Sequence, residues 1–343
     1  MRDGGHAALL RLGANESAFG PSRLAVDAMA AELPHLSWYG DPESYELRSL
    51  LALKHGCAIE QISVGSGIDD LTGLAVRAFL SPGENVLTTR GTYPTFLYHA
   101  RGFGGTVQSV AYRADGTVDV DAMIARARET EPAIVYVANP DNPSGTLLPP
   151  AEVLRLFEQL PERTLLFLDE AYADFVEDDE LPPALISERF LRTRTFSKAY
   201  GMAGARVGYA ICAERTVRAF QKIRLHYGVN RNAQIGAIAS LRDVTFRTRA
   251  AEWVARGRQE YYHLARSLGV PYLESRANFV CFDLGSEQRA TAVMNELLRR
   301  GVFVRKPNAP PLEGFVRVTV GTPEERAEFH DRFRASLEEF PQR

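Results

Sequence analysis

Lysine is nearly missing from this chain: Lys54, Lys198, Lys222 and Lys306 are the only four among 40 basic residues, the rest being arginine. A reaction that needs a nucleophilic amine therefore has few candidates. Cysteine is equally sparse. Cys57, Cys212 and Cys281 are odd in number, scattered and without a Cys-x-x-Cys pair, which argues against a disulfide framework or a zinc site and leaves them as small core residues. No apolar run approaches the length that spans a bilayer, and Met1-Arg2-Asp3-Gly4-Gly5-His6 lacks the apolar stretch of a secretory signal. A cytoplasmic location without membrane attachment is expected. A net charge of -3 offers no general attraction to nucleic acid. No low-complexity tract, internal repeat or Gly/Ser linker interrupts the 343 residues, and with 45% hydrophobic and 24% charged residues the chain should fold throughout, as two lobes around a cleft.

Short β-branched apolar runs are plentiful. Ile62 to Val64, Asn85 to Thr88, Thr106 to Val110, Ala133 to Ala138, Leu165 to Leu168 and Val207 to Ile211 alternate with amphipathic stretches, which predicts an α/β fold with a mainly parallel sheet covered by helices. Ligands of such sheets settle at the carboxyl ends of the strands. From about Thr245 to Leu268 the rhythm changes to one long helix, followed by strands at Phe279 to Phe282, Val302 to Val304 and Phe315 to Val320. A large ligand-binding domain over 38–240 is expected, with 1–37 and 241–343 forming a smaller α+β domain and its N-terminal arm. Arg247, Arg249, Arg256 and Arg258 on the long helix read as a solvated face rather than a nucleic-acid stripe.

Four segments bear chemistry. Thr195-Phe196-Ser197-Lys198 follows a strand ending near Arg194, and Gly204-Ala205-Arg206 brings small residues and a guanidinium suited to phosphate. Lysine, hydroxyls and arginine together suit a phosphorylated carbonyl cofactor, because an amine forms a Schiff base with an aldehyde and, once released, carries a proton. Leu165-Leu166-Phe167-Leu168-Asp169 is a buried strand that delivers a carboxylate in need of a cation, which a protonated pyridine nitrogen supplies; Tyr172, three residues on, can bond a ring hydroxyl. A Walker B reading of the same strand fails, since none of the four lysines follows a glycine. Asn142 lies in the stiff turn Asn139-Pro140-Asp141-Asn142-Pro143, and taken alone that turn is ordinary punctuation. Val64-Gly65-Ser66-Gly67-Ile68-Asp69 is a strand-to-helix junction that can cradle phosphate, whereas Asp70 in place of a third glycine weakens a dinucleotide reading. Tyr93, after the next strand, can lie against a flat ring.

In this ordered combination the chain resembles the fold type I aminotransferases that depend on pyridoxal 5′-phosphate, specifically the histidinol-phosphate aminotransferase branch. Matching stretches run from Leu12-Gly13-Ala14-Asn15-Glu16 through Trp38-Tyr39-Gly40-Asp41-Pro42 to Phe315-Val316-Arg317-Val318-Thr319. The resemblance implies a seven-stranded large domain and a homodimer working on an amino donor and a 2-oxo acid acceptor. It implies Lys198 as the Schiff-base lysine, Asp169 as partner of the ring nitrogen, Asn142 and Tyr172 as partners of the ring hydroxyl, and Tyr93 stacked on the ring. Ser197, Arg206, Thr195 and the backbone at Ile68 and Asp69 would hold phosphate, with Tyr39 reaching it from the second subunit. Arg317 and Arg305 would bind the acidic end of the substrate. Two departures bear on substrate: Phe19 stands where the family's early motif has tyrosine, and Trp38-Tyr39-Gly40 replaces Arg-Tyr-Pro. Phe19 and Trp38 would make the substrate pocket less polar, which keeps an aromatic or specialised amino acid open as substrate. A threonine-phosphate type of decarboxylase is a further alternative.

Overall fold

The computed structural model describes residues 10–341. In chain order the elements are β1 (Leu10–Arg11), α1 (Arg23–Glu32), α2 (Tyr45–His55), β2 (Ile62–Gly65), α3 (Ile68–Phe79), β3 (Asn85–Thr89), α4 (Pro94–Gly102), β4 (Thr106–Val110), α5 (Val120–Thr130), β5 (Ile134–Ala138), α6 (Pro150–Gln159) and β6 (Leu165–Asp169). They continue with β7 (Phe190–Thr195), β8 (Gly208–Ile211), α7 (Glu214–Ile223), α8 (Arg231–Arg242), α9 (Val244–Leu268), β9 (Tyr272–Leu273), β10 (Phe279–Asp283), α10 (Glu287–Arg299), β11 (Val302–Phe303), β12 (Phe315–Thr319) and α11 (Pro323–Glu339).

Seven strands form one sheet in the order β2-β8-β7-β6-β5-β3-β4. β4, β3, β5, β6 and β7 run parallel, while β8 is antiparallel to both β7 and β2. Strands buried on both faces read as continuous apolar runs; β5 and β6 are buried at every residue, and β6 is apolar up to its last residue, Asp169. Successive side chains nevertheless serve opposite layers. Ile134 and Tyr136 pack with Leu74 of α3, Phe96 of α4 and Phe220 of α7. Val135 and Val137 face the layer that holds Met123 of α5, Leu156 of α6 and the core of the smaller lobe. Each such fully buried side chain stabilises the fold by roughly 1.5–3 kcal/mol, so the sheet is a stiff platform for what projects from its carboxyl edge.

The smaller lobe carries the antiparallel sheet β12-β10-β9 and the long helix α9. α9 starts at Asp243, whose carboxylate accepts the Phe246 N–H, and stops at Gly269 with φ +65°. Arg249 and Arg256 lie on its solvated face, as expected, but Arg247 and Arg258 do not. Arg258 is buried and donates to the Ala277 carbonyl at 2.9 Å, and Arg247 lies 3.7 Å from Asp174. Both are drawn inward by acceptors on segments distant in sequence, which helical periodicity does not reveal. The strand foreseen at Val302 pairs in parallel with β1 rather than with the small sheet. From β1 the chain crosses the mouth of the cleft, and α1 then packs along α8. Among the described residues no helix is long and apolar enough to cross a membrane.

Candidate active site

A cavity of about 660 Å³ lies between the carboxyl edge of the large sheet and the smaller lobe, a size suited to a small organic ligand. Asp169, the last residue of β6, forms part of its floor and is 4% exposed. The Tyr136 hydroxyl donates to its Oδ2 at 2.6 Å and the Ala171 N–H to its Oδ1 at 3.0 Å. Burial pushes this carboxyl up to about 6 despite those two donors, and no basic side chain pairs with it among the described residues. A buried carboxylate so placed favours a cationic ligand atom. Tyr136 had no role in the sequence reading; the available signal was a hydroxyl-bearing ring two residues before the end of an otherwise apolar strand.

Lys198 follows β7. Its Nζ donates to the Asn15 carbonyl at 2.9 Å and sits 5.7 Å from the centre of the Tyr172 ring. Burial and then the Arg317 charge lower its pKa to about 8, with Glu16 and Asp169 opposing. An ordinary lysine near 10.4 is almost wholly protonated at neutral pH, so this amine is far closer to nucleophilic form.

Next to it is an anion cup. Gly67 caps α3 with φ +83°, and a Cβ there would stand 2.6 Å from Arg206 Nη2, so only glycine lets the guanidinium close over the first turn of α3. Arg206 reaches Ser197 Oγ and Asp69 Oδ2, both at 3.4 Å, and Thr195 Oγ1 donates to Ser197 Oγ at 3.0 Å. Ile68 and Asp69 occupy the first turn of the 12-residue helix, where free N–H groups and the helix dipole favour phosphate. Tyr93 lines the cavity and donates to Asp69 Oδ1 at 3.0 Å; burial raises its phenol to about 12.

The opposite end is cationic. Arg317 donates to Asn142 Oδ1 at 2.5 Å and to the Gly13 carbonyl at 3.3 Å, while its buried Nε has no acceptor. Arg305 and Lys306 line the same end, and Lys306 is paired with Glu287 at 3.0 Å. Tyr172 accepts from Asn15 Nδ2 at 3.0 Å. Asn15 itself, with φ +53°, was quoted in the sequence without a role, yet it bonds Lys198, Tyr172, Asn278 and Thr319.

Two sequence-predicted residues stand apart. Phe19 does not line the cavity, because its ring packs on Trp253 of α9 at a centroid distance of 4.6 Å. Tyr39 is 76% exposed and stacks on Tyr227 at 4.3 Å, with Trp38 exposed beside it and stacked on His35. Neither Phe19 nor Trp38 is among the described residues of the same chain that line this cavity.

A lysine of lowered proton affinity, an unpaired buried carboxylate and an anion cup, all at strand ends of one sheet, define an enzyme built around a flat, phosphorylated carbonyl compound with a basic ring nitrogen. The chain belongs to the aminotransferase class I and II family, whose model matches residues 7–333. It is 34% identical to the histidinol-phosphate aminotransferase of Bacillus subtilis over 93% of this chain and 89% of that protein. It is 35% identical to histidinol-phosphate aminotransferase 2 of Pseudomonas aeruginosa over 96% and 89%. The crystal structure of histidinol-phosphate aminotransferase from Sinorhizobium meliloti in complex with pyridoxal-5′-phosphate superimposes with a TM-score of 0.95 at 37% identity, covering 97% of this chain and 92% of that one.

Proposed function

We propose that this aminotransferase uses pyridoxal 5′-phosphate on Lys198 to move the amino group of histidinol phosphate, or of a related amino compound with an anionic end, to a 2-oxo acid such as 2-oxoglutarate. The cofactor reading rests on Asp169, a buried carboxylate without a cation, facing the same cavity as Lys198 and the Gly67–Arg206 cup. The substrate reading rests on Arg317: a guanidinium whose Nε lacks an acceptor, with Arg305 and Lys306 beside it, calls for a carboxylate or phosphate. The names of the relatives agree with that chemistry.

When bound, pyridoxal phosphate supplies an electron sink for the charge left on the substrate carbon as its proton departs. Lys198 Nζ, whose proton affinity burial lowers, would accept that proton and hold it beside the reacting carbons. Asp169 keeps the ring nitrogen protonated, and Tyr136 holds the carboxylate in line. Tyr93 would cover one ring face, Asn142 and Tyr172 would hold the ring hydroxyl, and Thr195, Ser197, Arg206 and the N–H groups of Ile68 and Asp69 would hold the phosphate. Asn142 also touches Arg317, so cofactor and substrate anion meet through one amide. A boundary at 240 would cut α8, and α1 packs along α8, so the smaller lobe is better begun at α9, with α1 counted to the larger one. The exposed Leu36, Trp38, Tyr39, Leu225 and Tyr227 support a homodimer in which Tyr39 would reach the phosphate of the other subunit.

The test is a spectral half-reaction panel with histidinol phosphate, glutamate, phenylalanine, tyrosine and threonine phosphate, following loss of the bound cofactor's visible absorbance. Histidinol phosphate is expected to give the highest kcat/KM among the donors. A preference for phenylalanine or tyrosine overturns the substrate, and carbon dioxide release from threonine phosphate overturns the reaction type.

A further inference from the structure

Behind the cleft floor lies a second, buried layer of charge that transamination does not use. Residues next to the active-site side chains turn the other way. Glu170, adjacent to Asp169, is fully buried between Arg192 at 2.7 Å and Arg194 at 2.9 Å. Asp174, two residues after Tyr172, is 6% exposed and lies 3.3 Å from Lys54 Nζ on α2 and 3.7 Å from Arg247 on α9. Tyr200, two residues after Lys198, is buried, and its hydroxyl accepts from the same Lys54 Nζ at 2.8 Å.

We propose that Lys54 is a positioning residue for transamination: one ammonium, bonded at once to Tyr200 and Asp174, ties the turn that carries Lys198 to the turn that carries Tyr172 at the neighbouring strand end. The inference rests on the aminotransferase reading. The linkage is short on both sides. The Gly201 N–H closes a turn on the Lys198 carbonyl at 3.0 Å, and Gly201, with φ +70°, meets the Gly20 carbonyl so closely that a Cβ would lie 1.9 Å from it. On the other strand end, the Phe175 N–H closes a turn on the Tyr172 carbonyl at 3.1 Å. A shift of Tyr200 or Asp174 is thus passed to Lys198 or Tyr172 with little slack in between. A simple ion pair needs only Asp174. The additional bond to Tyr200 joins the two site-bearing turns from behind, where Asn15 bridges them on the cleft side, and misplacement of reacting groups by about 1 Å costs up to about a hundredfold in rate.

Lys54→Met, Lys54→Arg and Tyr200→Phe would be compared with the wild-type holoenzyme in kcat and KM, and as apo-proteins in the rate of pyridoxal phosphate capture and in melting temperature. Tyr200→Phe removes only the acceptor that links Lys54 to the lysine loop, and it carries the test if Lys54→Met fails to fold. Expected are a kcat lowered about tenfold in Tyr200→Phe and in Lys54→Met with KM within about twofold, slower cofactor capture in both, and recovery of most of the rate in Lys54→Arg. Wild-type kinetics in Tyr200→Phe, or a loss in Lys54→Met confined to melting temperature, overturns the proposal. If the wild-type apo-protein itself captures no pyridoxal phosphate, it is the cofactor reading that fails, not the role of Lys54.

Discussion

The two ends of the cleft are built by different means. The cofactor end is assembled from residues within a few positions of a strand end or helix start, each held by a neighbour: Asp169 by Tyr136, Ser197 by Thr195, Tyr93 by Asp69. The substrate end is assembled from segments far apart in the chain, Gly13 to Asn15, Arg305 to Asn308 and Arg317, and its central guanidinium keeps a donor unused. One end is preorganised around a resident group; the other holds unspent hydrogen-bonding capacity for a transient one.

That contrast can be broken by substitution. The largest effect is expected at Asp169: Asp169→Ala should lower kcat about a thousandfold, in the range seen when a preorganised electrostatic partner is removed, while the protein still captures pyridoxal phosphate through its cup. Complete loss of cofactor binding would instead make Asp169 an anchor. The same carboxyl predicts a pH effect on the apo-protein. Its folded pKa of about 6 exceeds its ordinary value of 3.8, so the folded state binds more protons between those values and the stability contributed is lost as pH rises through that window. Wild-type apo-protein should therefore lose more melting temperature between pH 4 and 7 than Asp169→Ala, and equal slopes would contradict the burial argument.

Arg317→Ala should raise KM for the anionic substrate about a hundredfold, the scale of losing a desolvated charge partner, with the cofactor spectrum unchanged. An altered spectrum would mean that Asn142 needs Arg317 to hold its place at the cofactor end. The smallest effect belongs to Phe19→Tyr. With its ring on Trp253 and outside the cavity, kcat/KM for any donor should move by less than about twofold, and a selective gain for a phosphorylated donor would bring position 19 into the substrate end.

The same division governs what could be read from sequence. β5, β6 and the α3 junction were legible because an apolar run, a polar residue at its end and a glycine before a helix are local signals. Phe19 was not, since a ring's direction depends on α9, more than two hundred residues later. Arg247 and Arg258 were misjudged for a related reason: charge on a helix face says nothing of acceptors such as Asp174 or the Ala277 carbonyl. Asn15 lay in plain view, but its four partners come from four distant segments, and no spacing rule reports them.

The pairing of β1 with β11 has a consequence for how the enzyme comes into being. Residues 10 and 11 are synthesised long before residues 302 and 303, their pairing partners, and at roughly 5–20 residues per second the interval is on the order of tens of seconds. Close behind β1, the Asn15 carbonyl accepts from Lys198 Nζ. The pairing that anchors this neighbour of Lys198 therefore becomes available only once β11 has been made.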